Sequence, residues 1–116
     1  VSLHLPLTND THHLIDAASI DLLPDGAILV NASRGGIIDE DAAYAALKKG
    51  KLAGLGLDAF EVEPPYASPL FELDNVIVTP HTGAHTKEAT DNMAHASIKN
   101  LIDVLSGKEC PYIVNN

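Results

Sequence analysis

Residues 27–60 run Ala27-Ile28-Leu29-Val30-Asn31-Ala32, then Ser33-Arg34-Gly35-Gly36-Ile37-Ile38, then Asp39-Glu40-Asp41-Ala42-Ala43-Tyr44-Ala45-Ala46-Leu47-Lys48-Lys49-Gly50, and close on Lys51-Leu52-Ala53-Gly54-Leu55-Gly56-Leu57-Asp58-Ala59-Phe60. The first and last pieces are apolar runs of strand length without strict alternation, the pattern of strands buried on both faces of a parallel sheet. The middle piece is punctuated as a helix. Asp39 supplies the cap, Glu40 and Asp41 a negative first turn, Lys48 and Lys49 a positive last turn, and Gly50 the stop. Strand, helix and strand in that order imply a right-handed parallel crossover.

The same alternation extends outward. Val1–Leu7 and Val76–Thr79 are two further strand-like runs. A weaker helix is predicted over Ala17–Leu23, stopped by the turn residues Pro24-Asp25-Gly26. A long helix is predicted over 86–105, capped by Thr86, with Met93, Ala94, Ile98, Leu101, Ile102 and Leu105 at spacings of three and four and Gly107 as its end. Pro64-Pro65-Tyr66-Ala67-Ser68-Pro69 is a loop, since three prolines in six residues break a helix or a central strand. The sum is an α/β fold with a parallel sheet and flanking helices.

With 116 residues the chain holds one small domain. A formal charge of -9 and no basic patch disfavour nucleic acid as a partner. No apolar run approaches the roughly 20 residues that span a bilayer. Val1–Thr8 has no basic flank of the signal-peptide kind, so a cytoplasmic protein is expected. Cys110 is the single cysteine, with no partner for a disulfide or a CxxC motif, and reads as a small buried hydrophobe. His81 and His85 have a metal-like spacing, but Gly83 interrupts any helix between them and no third ligand is evident, so no metal is expected. His12 and His13 lie in a polar turn and read as solvated.

Open parallel sheets bind ligands beyond the carboxyl ends of their strands, so the residues immediately after each run are the candidates for chemistry. After the second strand stands Arg34, the only arginine, succeeded by two glycines that let backbone approach a ligand. Its guanidinium suits a bidentate grip on a carboxylate. A surface arginine in an ion pair remains the alternative on spacing alone. After the third run come three carboxylates, Asp58, Glu61 and Glu63, of which Asp58 still belongs to the apolar run and needs donors if buried. After the fourth stands His81, between Pro80 and Gly83, a natural proton donor and acceptor near neutrality. One cation, one imidazole and a supporting carboxylate at one sheet edge form the set that oxidation of a 2-hydroxy acid requires, together with a hydride acceptor.

Four ordered segments, Val1-Ser2-Leu3-His4-Leu5-Pro6-Leu7-Thr8, Asn31-Ala32-Ser33-Arg34-Gly35-Gly36, Asp58-Ala59-Phe60-Glu61-Val62-Glu63-Pro64 and Thr79-Pro80-His81-Thr82-Gly83-Ala84, resemble the D-isomer-specific 2-hydroxyacid dehydrogenase family, which includes D-3-phosphoglycerate dehydrogenase. The resemblance covers nearly the whole chain. It implies a Rossmann-like fold and hydride transfer between NAD, or NADP, and a D-2-hydroxy acid. The implied catalytic set is Arg34 on the substrate carboxylate and carbonyl, His81 as acid and base, and Glu63 paired with His81. The implied cofactor pocket is lined by Leu5, Ala32, Ser33, Arg34, Asp58, His81, Gly83 and Ala84, with Asp58 on the carboxamide. The similar formate dehydrogenases carry glutamine where Glu63 stands, which disfavours formate.

No GxGxxG fingerprint occurs in these residues, so the chain is expected to be the C-terminal part of an NAD-binding domain. Residues 108–116 are then a tail returning toward a substrate domain, and the parent is expected to be a homodimer. Two other readings accompany this one: an NAD-sensing protein like the family's transcriptional corepressors, and an inactive truncated piece with an unpaired sheet edge.

Overall fold

The computed structural model describes residues 1–114; residues 115 and 116, the end of the predicted tail, lie outside it. The chain divides into two units, 1–83 and 84–116.

In the first unit four parallel strands lie in the order of the sequence: β1 (Ser2–Leu3), β2 (Ala27–Asn31), β3 (Leu52–Leu57) and β4 (Val76–Val78). The pairing places Leu3 beside Asn31, Asn31 beside Leu57 and Leu57 beside Val78, so the carboxyl ends of all four strands fall in one row. The strand runs read from sequence are too long at their ends. β1 stops at Leu3 instead of Leu7, because Pro6 has no N–H for the ladder and the chain turns away there, with Thr11 Oγ1 donating to the Pro6 carbonyl at 2.8 Å. β3 stops at Leu57 because its neighbours end at Asn31 and Val78.

Two helices connect the first three strands. α1 (Ala17–Asp21) is shorter than the predicted Ala17–Leu23 and is started by a capping box that apolar spacing does not reveal: Asp16 accepts from the Ser19 N–H and the Ser19 hydroxyl accepts from the Asp16 N–H. α2 (Glu40–Lys48) begins as expected, with Asp39 Oδ1 accepting from the Ala42 N–H at 2.9 Å. It ends on Gly50 at φ +76, where the Gly50 N–H bonds the Leu47 carbonyl and the Lys51 N–H bonds that of Ala46. That pair is a Schellman stop, which glycine makes without strain. Between β3 and β4 the connection is a loop with a short 3₁₀ helix, Pro69–Glu72, capped by Ser68.

Leu29, Leu55 and Leu57 of the sheet pack with Ile20, Ile37, Ile38, Ala43 and Leu47 in one core. Each large side chain removed from water there contributes roughly 2–3 kcal/mol. Within this unit the helices α1 and α2 cover the Leu29 face of the strands. Ile28 is 57% and Ile77 75% exposed, since α1 and α2 share the Leu29 side of the sheet.

The second unit is built on α3 (Lys87–Leu105), with Thr86 accepting from the Ala89 N–H as its cap. Lys87 pairs with Asp91 and Lys99 with Asp103 one turn apart. Gly107, at φ +69, closes it with a second Schellman pair to Val104 and Asp103. Its apolar row, including Met93, Ile98, Leu101 and Ile102, is exposed. Among the described residues no helix is long and apolar enough to cross a membrane.

Candidate functional site

The row of strand ends makes the site. Because Asn31, Leu57 and Val78 are in register, the segments after them emerge side by side, tied by the Asp58 N–H to the Asn31 carbonyl at 3.0 Å and the Thr79 N–H to the Leu57 carbonyl at 2.9 Å.

The carboxylate of Asp58, only 8% exposed, finds the donors that burial demands. Oδ1 accepts from the Thr79 hydroxyl at 2.5 Å and the Thr82 N–H at 2.8 Å, and Oδ2 accepts from the Gly83 N–H at 3.0 Å. The Thr79 hydroxyl is the foremost cause that holds this carboxyl below its ordinary value of 3.8, followed by the Thr82 amide. Asp58 thus folds the 79–83 turn around itself. Oδ2, with one donor in place, keeps room for a second.

That turn holds His81 at φ +54, left-handed backbone that a non-glycine residue adopts at a cost. Its N–H bonds the Thr79 carbonyl at 3.0 Å. Its ring Nδ1 lies 3.0 and 3.1 Å from the two carboxylate oxygens of Glu63. A carboxylate only accepts, so Nδ1 carries a hydrogen, and Nε2 has no protein partner among the described residues. Glu63 is fixed from behind by the Phe60 N–H at 3.0 Å, the main cause of its lowered pKa, with the His81 ring second. Of the three carboxylates that spacing left open, Glu63 is the one on the imidazole. Glu61 turns instead to His13 and the start of α2.

Arg34 is exposed and its Nη1 donates to the Ser33 carbonyl at 2.7 Å; no bond joins it to Glu63 or His81 among the described residues. The backbone next to it nevertheless lies against the start of the loop that carries Glu63. A Cβ on Gly35 would stand 1.8 Å from the Phe60 carbonyl oxygen, so the residue after Arg34 lies directly on the segment that leads to Glu63. Asn31, which has no expected role from sequence, shapes the turn: it is 1% exposed, donates to the Arg34 carbonyl at 2.7 Å and accepts from both the N–H and the hydroxyl of Ser33. An Asn closing a strand two residues before a serine is a turn signal that could have marked it. Leu5 and Ala32 are exposed and Ser33 is half-buried at the same row of strand ends. Ala84, exposed, opens the second unit.

His81 and Glu63 border a cavity of about 420 Å³ with an apolar wall that includes Phe60, Phe71 and Val78. A larger one, about 540 Å³, is bordered by His13, Asp39, Glu40 and Glu61 and includes neither Arg34 nor His81. The histidine–carboxylate pair, not the size of the hollow, identifies the smaller as the one next to chemistry. His13 is half-buried on Glu61, not solvated as its polar turn suggested, because Glu61 comes to it from 48 residues away. Cys110 is also half-buried.

The family model for the D-isomer specific 2-hydroxyacid dehydrogenase NAD binding domain matches residues 1–83. A glyoxylate reductase of Thermococcus litoralis is 47% identical over 115 residues, covering 99% of this chain and 35% of the relative. Among solved structures, a D-lactate dehydrogenase of Treponema pallidum superposes with a TM-score of 0.91 at 38% identity, over 99% of this chain and 39% of that one. A D-lactate dehydrogenase of Aquifex aeolicus, complexed with NAD and lactic acid, superposes with a TM-score of 0.82 at 36% identity, over 91% and 37%. The chain spans about a third of the length of the curated relatives it matches.

Proposed function

The chain belongs to the D-isomer-specific 2-hydroxyacid dehydrogenase family, as part of its NAD-binding domain, and on that footing we propose that the protein containing it interconverts a D-2-hydroxy acid and the corresponding 2-oxo acid. The observation that carries this reading is the His81–Glu63 pair at the carboxyl edge of the sheet, with Nδ1 tied down and Nε2 open.

The residues fit the cofactor that the family uses. Asp58 Oδ2 can accept one more N–H, as from a carboxamide, and Leu5, Ala32, Ser33, Arg34, His81, Gly83 and Ala84 would line the remainder of the nicotinamide end. When bound, NAD or NADP supplies the group that takes or gives the hydride. Arg34 would hold the substrate carboxylate in a two-pronged grip, its Nη1 being the one nitrogen that donates to the Ser33 carbonyl. In the oxidising direction His81 Nε2 takes the hydroxyl proton as hydride leaves the carbon, and the resulting imidazolium is stabilised by Glu63. In the reducing direction the same nitrogen returns the proton to the carbonyl oxygen. Glyoxylate and lactate-type acids, after the names of the relatives, are the first substrates to try.

A cytoplasmic location and a homodimeric parent belong to the same proposal. An unpaired cysteine suits a reducing compartment. The decisive experiment is His81→Ala in the full-length protein. Turnover of a 2-oxo acid with NADH should fall by about 10²–10⁴-fold with cofactor affinity retained. Unchanged turnover in the mutant removes this mechanism, whereas a full-length protein that binds NAD but reduces no 2-oxo acid favours an NAD-sensing protein.

A further inference from the structure

We propose that Glu61 and Glu40 are positioning residues: a reciprocal bond between them locks the loop carrying Glu63 onto the start of α2 and so sets Glu63 against His81. The inference rests on the His81–Glu63 pair being the proton-transfer pair.

The bond runs in both directions. Glu61 Oε1 accepts from the Glu40 N–H at 3.0 Å, and Glu40 Oε1 accepts from the Glu61 N–H at 2.7 Å. The Glu40 amide is one of the first four of α2, which have no partner inside the helix, and Asp39 already serves the amide of Ala42. A carboxylate from 21 residues downstream therefore completes the cap, where the helix dipole favours negative charge. His13 adds a third segment, its Nε2 3.0 Å from the same Glu61 oxygen.

Stability alone does not account for this junction. Two glutamates side by side repel, and Glu40 is held above its ordinary value by burial first and by the charge of Glu61 among further causes. His13 sits at φ +50 with its N–H on the Gly36 carbonyl, a second local cost at the same place. Broken local rules gathered at one point are a mark of function. What they hold is short. Glu63 comes two residues after Glu61 and is itself closed back on the Phe60 amide, so any swing of residue 61 moves the carboxylate that faces His81.

The test is a mutant cycle in the full-length protein, read as kcat and KM for glyoxylate reduction by NADH. Glu61→Ala should lower kcat about 10- to 100-fold, as expected for displacement of a catalytic group by an ångström, with KM for NADH unchanged. Glu61→Gln keeps a carbonyl oxygen for the Glu40 amide and the His13 ring and should recover most of the loss. In a Glu63→Gln background Glu61→Ala should cost no more than about twofold, because the group it positions is already gone. An equal loss in both backgrounds, or no loss in either, overturns the positioning role. Should Glu61→Ala not fold, His13→Ala carries the same cycle. If Glu63→Gln alone leaves kcat unchanged, the reading of the pair falls first and the positioning role with it.

Discussion

Gly35 offers a test in which the structure supplies the magnitude. A Cβ built there would stand 1.8 Å from the Phe60 oxygen, 2.1 Å from its carbon and 2.8 Å from the Glu61 nitrogen, all backbone atoms. Contacts under 3.0 Å do not persist, so in Gly35→Ala the 34–36 turn and the 60–61 peptide must part by at least 1.2 Å, the gap between 3.0 and 1.8 Å. Gly35 is not among the residues of positive φ, so alanine is permitted by the backbone itself and the cost is purely one of space. Overpacking of this kind costs about 1–3 kcal/mol, and with main chain on both sides and no side chain to swing away we expect the upper end. The displacement also separates Arg34 from the loop of Glu63, which should lower kcat by about a hundredfold. Urea unfolding and steady-state kinetics of the full-length variant provide the assay. Gly54→Ala is the control, since its Cβ would meet its nearest neighbour at an ordinary 3.4 Å. A Gly35→Ala protein within about 0.5 kcal/mol of the parent and with undiminished kcat would refute the close approach.

Two further outcomes are expected from the same geometry. Asp58 and Glu63 are both held below their ordinary values, so their stabilisation is fully present above about pH 4–5 and is lost as the pH falls through the lower folded values. Asp58→Asn should cost about 1–3 kcal/mol at neutral pH, because the amide nitrogen would face an N–H, and should flatten the acid limb of stability in thermal melts between neutrality and pH 3; an acid limb as steep as the parent's would contradict this. The 116-residue chain by itself, without a glycine-rich phosphate loop, should show no NAD binding tighter than about millimolar in calorimetry, and micromolar binding would remove that reasoning.

Much of the fold was legible because it is written in short-range chemistry. Asp39, Lys48 and Gly50 act within one or two turns of the helix they delimit, and the apolar runs at 27–32 and 52–60 each mark a strand by local composition. Arg34 and His81 stood out for the same reason, as functional side chains directly after such runs. Asp58 was set apart by its place in the apolar run, but the allocation of Glu61 and Glu63 was not legible from spacing, and only the family resemblance gave Glu63 to His81. By local spacing Glu61 and Glu63 are alike, and it is the β3–β4 register and the turn around Asp58 that send Glu63 to His81 across 18 residues, while Glu61 meets Glu40 across 21 and His13 across 48. Strand ends were overread where Pro6 and the limits of neighbouring strands, rather than composition, end the ladder. Side-chain type and local spacing are carried by the chain itself; which distant partners meet depends on strand register and on close backbone contacts such as Gly35 on Phe60, which exist only once the sheet has formed.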